Sequence, residues 1–231
     1  MYKYFFKRLF DIIISFLCLI LLTPLFLIIT FLIYVKLGRP AVFRQLRPGY
    51  KEKLFFLLKF RTMSDERDEN GRLLPDSMRL TKFGKALRAT SLDEIPELIN
   101  IRKGDMSFVG PRPLLVRDMV FMTVEQRKRH DVYPGLTGLA QVKGRNLLSW
   151  ENKLNLDLKY IEKISFINDI RIILETIIKV LKQEGISEEG MDTAQDLGDY
   201  LLRTSKIDLP NYYELMKTAE EVIYQNGKKS T

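Results

Sequence analysis

Apolar residues follow three different rhythms along this chain. The first is an unbroken run: residues 12–35, IIISFLCLILLTPLFLIITFLIYV, contain no charged side chain, and a stretch of that length can cross a bilayer as one helix. The second is short and extended. Residues 41–63, AVFRQLRPGYKEKLFFLLKFRTM, predict two strands or extended segments around a Pro48-Gly49 turn. The third is helical: residues 149–165 and 168–185 place apolar positions three to four apart and predict two amphipathic helices. Between these lie a charged loop (64–75), a short helix (76–90), a turn-rich loop (104–113), a mostly helical segment (114–133) and a Gly-rich extended stretch (134–146). From Ser187 onward apolar density falls. That predicts a polar appended tail with one or two short helices, including 212–226, and no part in the chemistry. No internal repeat is visible. The pattern gives an α/β chain, mainly α, in three units: an apolar segment over 1–36, a main domain over 37–186, and an extension over 187–231.

Charge complicates the first unit. Lys3, Lys7 and Arg8 precede the apolar run, and Lys36, Arg39, Arg44 and Arg47 follow it. Basic flanks stay on the cytoplasmic side, so the two ends give contradictory orders to a spanning helix. Pro24 removes a helical hydrogen bond at the centre, and the Thr23 hydroxyl is available to satisfy a freed carbonyl. A helix bent at Thr23-Pro24, entering and leaving by one face, reconciles these facts. A straight span with a kink is the other reading, and these residues leave both open.

The chain has 231 residues, enough for one ordinary domain with appendages, and a formal charge of +8. Such a balance points to a polyanionic partner: nucleic acid, anionic lipid or a phosphorylated substrate. Cys18 is the single cysteine, so no intrachain disulfide can form. The lone His130 excludes an all-histidine metal site and argues against zinc. A metal here should be a hard cation such as Mg²⁺ or Mn²⁺.

The chemistry centres on residues 90–96, TSLDEIP. Two adjacent carboxylates at a helix start are expected caps, because free N–H groups and the dipole favour negative charge there. With Asp93 as N-cap, Pro96 falls in the tolerated first turn of a helix running through Glu97, Leu98 and Ile101. The neighbours, however, suit phosphate. Lys59, Arg61 and Thr62 supply cations and a hydroxyl. Arg88 lies five residues before Asp93. Gly110-Pro111-Arg112-Pro113 presents an arginine on a stiff loop, and Arg145 adds another fork-shaped donor. Taken singly, each has a bland account, as a solvated basic face or a loop stiffener. Neither GxxxxGK[ST] nor GxGxxG occurs, so P-loop and Rossmann readings have no support.

Three segments together, KFRTM, RLTKFGKALRATSLDEIPELINIRKGDMSFVGPRPLL and HDVYPGLTGLAQVKGRN, resemble the bacterial sugar transferases. These are the monotopic polyprenol-phosphate phosphoglycosyl transferases, and the match is best to their smallest, PglC-like members. It covers residues 1–186. The resemblance implies a re-entrant membrane helix broken at Thr23-Pro24, carrying a membrane-associated catalytic domain of amphipathic helices and a few short strands on the cytoplasmic face of the inner membrane. It implies transfer of a sugar-1-phosphate, from a UDP-sugar with an N-acetylated sugar expected, to undecaprenyl phosphate. UMP is released, and the product begins assembly of a glycoprotein glycan, O-antigen, capsule or exopolysaccharide. Asp93 is the implied nucleophile, forming a covalent phosphosugar. Mg²⁺ is the implied cofactor, with Asp93 and Glu94 as its protein ligands. Glu94 is expected to coordinate or position in preference to acting as a base, because a phosphate monoester acceptor is already mostly dianionic at neutral pH. Arg88 and Arg112 are expected on the transferred phosphate with Lys59, Arg61 and Thr62 nearby, and Arg145 on the nucleotide. His130 is expected to be structural or to orient a loop, and not to act as a base. Asp157 and Tyr160 are expected on a solvated face, with pocket support as the alternative.

Partners follow: UDP-sugar, undecaprenyl phosphate, membrane lipids and downstream glycosyltransferases, with no nucleic acid. The rival class is a non-enzymatic, membrane-anchored basic module that binds anionic lipid or nucleic acid. It accounts for the charge and the anchor but not for carboxylates set among stiff arginine loops.

Overall fold

The computed structural model describes residues 1–144, 148–182 and 195–227. A short π-helical turn, Tyr2–Phe6, leads into α1, Lys7–Leu37. Then come β1 (Val42–Pro48) and β2 (Leu54–Phe60), α2 (Asp76–Arg79), α3 (Lys82–Ala89) and α4 (Glu97–Lys103). They are followed by β3 (Ser107–Val109), α5 (Val116–Met119), α6 (Val124–Arg127), β4 (Gly135–Thr137) and α7 (Leu139–Lys143). The long helices α8 (Trp150–Glu162) and α9 (Phe166–Leu181) precede α10 (Leu197–Arg203) and α11 (Leu209–Gly227).

The extended segments form an antiparallel hairpin with Val42 opposite Phe60 and Pro48 opposite Leu54. Phe55, Leu57 and Phe60 are buried. They pack with Ile29 and Ile33 of α1, Leu87 of α3, and Ile95, Leu98 and Ile101 beside or on α4. Each such side chain contributes roughly 1.5–3 kcal/mol by leaving water, and this layer carries α4 and the turn before it. β3 and β4 pair in parallel, with Ser107 opposite Gly135 and Val109 opposite Thr137.

Helix α1 runs unbroken through Pro24, so the N-terminal unit is one helix and not two joined by a turn. The Thr23 hydroxyl donates to the Leu19 carbonyl at 2.7 Å. The carbonyl that Pro24 leaves without its usual partner is that of Ile20, so the expected compensation falls one residue away. Among the described residues α1 is the one helix long and apolar enough to cross a membrane, and Leu17, Leu21, Ile28, Phe31 and Val35 are all more than half exposed. Both ends of α1 are nevertheless fastened to the same body. Near its start, Arg8 donates to the carbonyls of Met106 and Ile101, Asp11 accepts from the Phe108 amide, and Lys7 pairs with Asp169 of α9. Further along, Phe26 packs on Phe60 with ring centroids 4.8 Å apart.

Three local expectations need correction. The basic segment 76–90 is two helices, because Thr81 leaves helical geometry to cap α3 by accepting from the Gly84 amide. The stretch 134–146 contains the short helix α7 as well as β4. The extension is no loose tail: Leu197 of α10 is buried with Phe121, Trp150 and Leu154, and Tyr212, Leu215 and Met216 of α11 close over the same cluster.

Candidate active site

Asp93 does not cap a helix. Pro96 occupies the N-cap position of α4, and residues Leu92–Glu94 form a 3₁₀ turn ahead of it. The tighter turn lets the chain enter the helix with a residue that has no N–H to give. Ser91 sits in the left-handed region at φ 55°. A non-glycine residue pays for that conformation, and here it reverses the chain between α3 and the turn that carries the acidic pair.

Three elements converge on the pair. Lys59, near the end of β2, donates to Glu94 Oε1 at 2.7 Å and lies 3.2 Å from Glu97 Oε1. Arg112 donates to the same Glu94 oxygen at 2.9 Å. Arg88, from the last turn of α3, donates to Thr62 Oγ1 at 3.1 Å and acts electrostatically on Asp93. Its placement depends on Gly84: a methyl group there would lie 1.9 Å from the Thr62 carbonyl oxygen, so only glycine lets α3 press against that backbone. Asn100, 1 % exposed, registers α4 on the free edge of β2. Its side chain accepts from the Leu58 amide and donates to the Phe56 carbonyl. The arginine loop is held from behind by buried Arg129, which donates to the Arg112 carbonyl and pairs with Asp157 at 2.8 Å.

The charges are strongly coupled. Burial alone would raise the Glu94 carboxyl, but Lys59 and Arg112 outweigh it and hold Glu94 well below the usual carboxylate range. Burial pushes Asp93, 8 % exposed, upward; Lys59, Arg88 and Arg112 pull it back while Glu94 adds to the rise. Burial also lifts Glu97 to about 7 against the pull of Lys59. Lys59 and Arg112 are both raised: burial opposes the Lys59 ammonium but Glu94 and Glu97 prevail, and Glu94 is the main influence on Arg112. Glu94 is therefore a poor proton acceptor and a good organiser of cations.

The structure thus brings Lys59, Arg88, Asp93, Glu94 and Arg112 together, with Thr62 supporting Arg88. It does not bring Arg61, whose guanidinium binds the carbonyls of Arg39 and Met63 and pairs with Asp65. Arg145 lies outside the described residues. His130 is buried, without a hydrogen bond to either ring nitrogen. Asp157 and Tyr160 are buried, not solvated: Asp157 holds Arg129, and Tyr160 donates to Asp169. Glu97, Asn100 and Arg129 were missed. Glu94, Glu97 and Asn100 recur at steps of three, the spacing of one helix face, and that was the available signal.

Among the described residues no three metal-ligating side chains gather into a cage. Hard carboxylate oxygens do suit magnesium, but one oxygen of Glu94 is already taken by two cations. An ion here would need most of its shell from a substrate diphosphate. Beside the acidic pair opens a largely apolar cavity of about 290 Å³. Ser91 and Glu94 line it, as do Cys18 and Leu22 of α1 and Ile173 and Ile177 of α9. The outer face of α9 continues the apolar surface, with Ile167, Leu174 and Leu181 more than half exposed.

This is a cluster of carboxylates and cations set beside a long apolar helix. The profile of the bacterial sugar transferase family matches residues 2–183, and the chain belongs to that family. It is similar to the sugar transferase EpsL of Bacillus subtilis, 47% identical over 189 residues that cover 82% of this chain and 94% of that protein. A UDP-glucose:undecaprenyl-phosphate glucose-1-phosphate transferase of Klebsiella pneumoniae is 40% identical over 184 residues, covering 75% of this chain but only 40% of the longer relative. The exopolysaccharide production protein ExoY of Sinorhizobium fredii is 35% identical over 196 residues, covering 78% of this chain and 87% of the relative. The protein is accordingly a sugar-phosphate transferase in class, and α10 and α11 lie beyond the matched region.

Proposed function

We propose that this protein transfers a sugar-1-phosphate from a UDP-sugar to undecaprenyl phosphate at the cytoplasmic face of the inner membrane. The observation that carries the reading is a buried carboxylate, Asp93, under the influence of Lys59, Arg88 and Arg112 beside an apolar cavity that reaches α1. The Klebsiella relative's name specifies this reaction for glucose. An N-acetylated sugar is the expected donor headgroup here.

An Asp93 oxygen attacks the β-phosphorus of the donor. The bond from that phosphorus to the oxygen bridging the two phosphates breaks, and UMP leaves with the electron pair. The phosphosugar stays on Asp93 as a mixed anhydride. The acceptor's phosphate oxygen then attacks the same phosphorus and restores the carboxylate. Splitting the transfer lets two large substrates use one centre in turn. Arg88 and Arg112 bind the transferred phosphate, Lys59 balances the charge of Glu94, and Glu94 keeps the two cations aimed. Asp93 and Glu94 would hold Mg²⁺, which when bound neutralises charge on the diphosphate. The cavity between α1, α4 and α9 gives the acceptor's prenyl chain an apolar path to the phosphate site, and the lipid-linked product passes to downstream glycosyltransferases.

The test is to incubate the protein with UDP-sugar alone. The intact mass should rise by one phosphosugar, and Asp93→Asn should show no such rise. Appreciable turnover in Asp93→Asn would refute the nucleophile. A pure lipid- or nucleic-acid-binding module would release no UMP at all.

A further inference from the structure

Asp118, in α5, is 2 % exposed and lies outside the acidic centre. One of its oxygens accepts from the Leu115 amide at 2.9 Å, at the end of the loop that carries Arg112. The other accepts from the Leu197 amide at 3.0 Å, at the first residue of α10. One carboxylate therefore joins the arginine loop to a segment that the family profile does not reach. The joint is reinforced on both sides. Arg117 pairs with Asp196, immediately ahead of α10. Gly198 is so close to Phe121 that a methyl group there would lie 2.5 Å from the ring. On the loop side, Arg47 donates to the Pro113 carbonyl at 3.2 Å and Arg129 to the Arg112 carbonyl at 2.6 Å. The loop is thus gripped at residues 110 to 113 and at 115, and the carboxylate that makes the last grip, as a cap of α5, is the one that also holds the first amide of α10.

We propose that Asp118 is a positioning residue for the transfer reaction, and that docking of α10 and α11 on it sets the placement of Arg112. The inference rests on the reading of Arg112 as a ligand of the transferred phosphate. Misplacing a phosphate donor by a fraction of an ångström weakens transition-state contacts more than ground-state binding. An undocked C-terminal pair should therefore slow the chemical step and leave donor affinity nearly intact. Any partner or cleavage that lifts α10 would act on the enzyme by this route.

Two variants break the joint from different ends. Asp118→Asn leaves one side-chain oxygen to accept where two are needed, and Gly198→Val drives α10 away from Phe121 without touching the loop. Each is compared with wild type and Arg112→Ala in a single turnover, with acceptor present and enzyme in saturating excess over UDP-sugar. In that regime misfolded molecules do not change the rate constant for UMP release. Amide hydrogen exchange at Leu115 and Leu197 reports the two halves of the joint. The expected result is faster exchange at both amides and a rate constant lower by about tenfold, with the half-saturating UDP-sugar concentration, measured separately in steady-state turnover, moved by less than about threefold. Faster exchange in either variant with an unchanged rate constant overturns the proposal while the phosphate reading stands, provided Arg112→Ala is impaired. An unimpaired Arg112→Ala overturns the phosphate reading and the proposal with it.

Discussion

At the scale of single residues, the site owes its geometry to a few positions that make no contact with phosphate. Gly84 is one. A side chain there would push α3 away from Thr62, and Arg88 would go with it. Gly84→Ala should lower UMP release by more than tenfold while leaving Asp93 and its neighbours chemically intact. A near-normal rate in a folded Gly84→Ala protein would show that Arg88 does not need this contact. His130 is another. Burial, with Arg129 beside it, lowers its imidazole to about 4 against some opposing pull from Glu52. A folded-state value below the unfolded one contributes stability that is complete above about 6.5 and is lost as pH falls through about 4, on the order of 3 kcal/mol in all. Thermal midpoints in detergent should therefore drop further between pH 8 and pH 5 for wild type than for His130→Gln. Equal drops would mean that another group governs the acid side.

At the scale of elements, rhythm was legible and long-range partnership was not. The hairpin and the helices α8 and α9 follow from period-two and period-three-to-four patterns, which are properties of each segment alone. The sequence suggests Asp93 as a cap and the structure does not make it one, because Pro96 permits both an early helix and a 3₁₀ lead-in, and packing chose between them. Arg129 and Asp157 are 28 residues apart and the amide of Asn100 meets a strand 42 residues away. No local pattern announces such pairs. The extension looks polar in sequence because its apolar side chains are spread thinly, although they converge once α10 and α11 fold back on Trp150 and Leu154. Ending the chain at residue 182 would return Phe121, Trp150 and Leu154 to water at roughly 1.5–3 kcal/mol for each side chain fully exposed. The shortened protein should melt earlier in detergent by a clear margin. An unchanged midpoint would mean that the C-terminal helices add nothing to the body's stability.

At the scale of the whole molecule, the two attachments of α1 support an expectation about its topology. A helix of its length extends roughly 45 Å, and a straight span would carry one end across the bilayer, away from the body that both ends bind. The basic flanks make the same demand, so both ends are expected in the cytoplasm. Cysteines placed near positions 4 and 40, in a Cys18→Ser background, should stay unlabelled by an impermeant thiol reagent on intact cells. Pro24→Ala, which restores the missing N–H and favours a straight helix, should expose position 4. Labelling at position 4 with Pro24 present would establish an ordinary spanning anchor.

The pairing of Lys7 with Asp169 joins residues 162 positions apart, and this separation has a consequence for biosynthesis. The ribosome delivers α1 first and Asp169 only after most of the domain has been made, roughly 10–30 s later at ordinary elongation rates. For the first part of that interval the helix has none of its polar attachments, and its partners at 101–108 are made well before Asp169. Its orientation must therefore be decided by the flanking lysines and arginines and by Pro24, and the attachments to Asp169, Phe108 and Met106 can only ratify it. Mutations of those late partners should leave nascent chains correctly oriented and impair instead the final closure of the domain onto its helix.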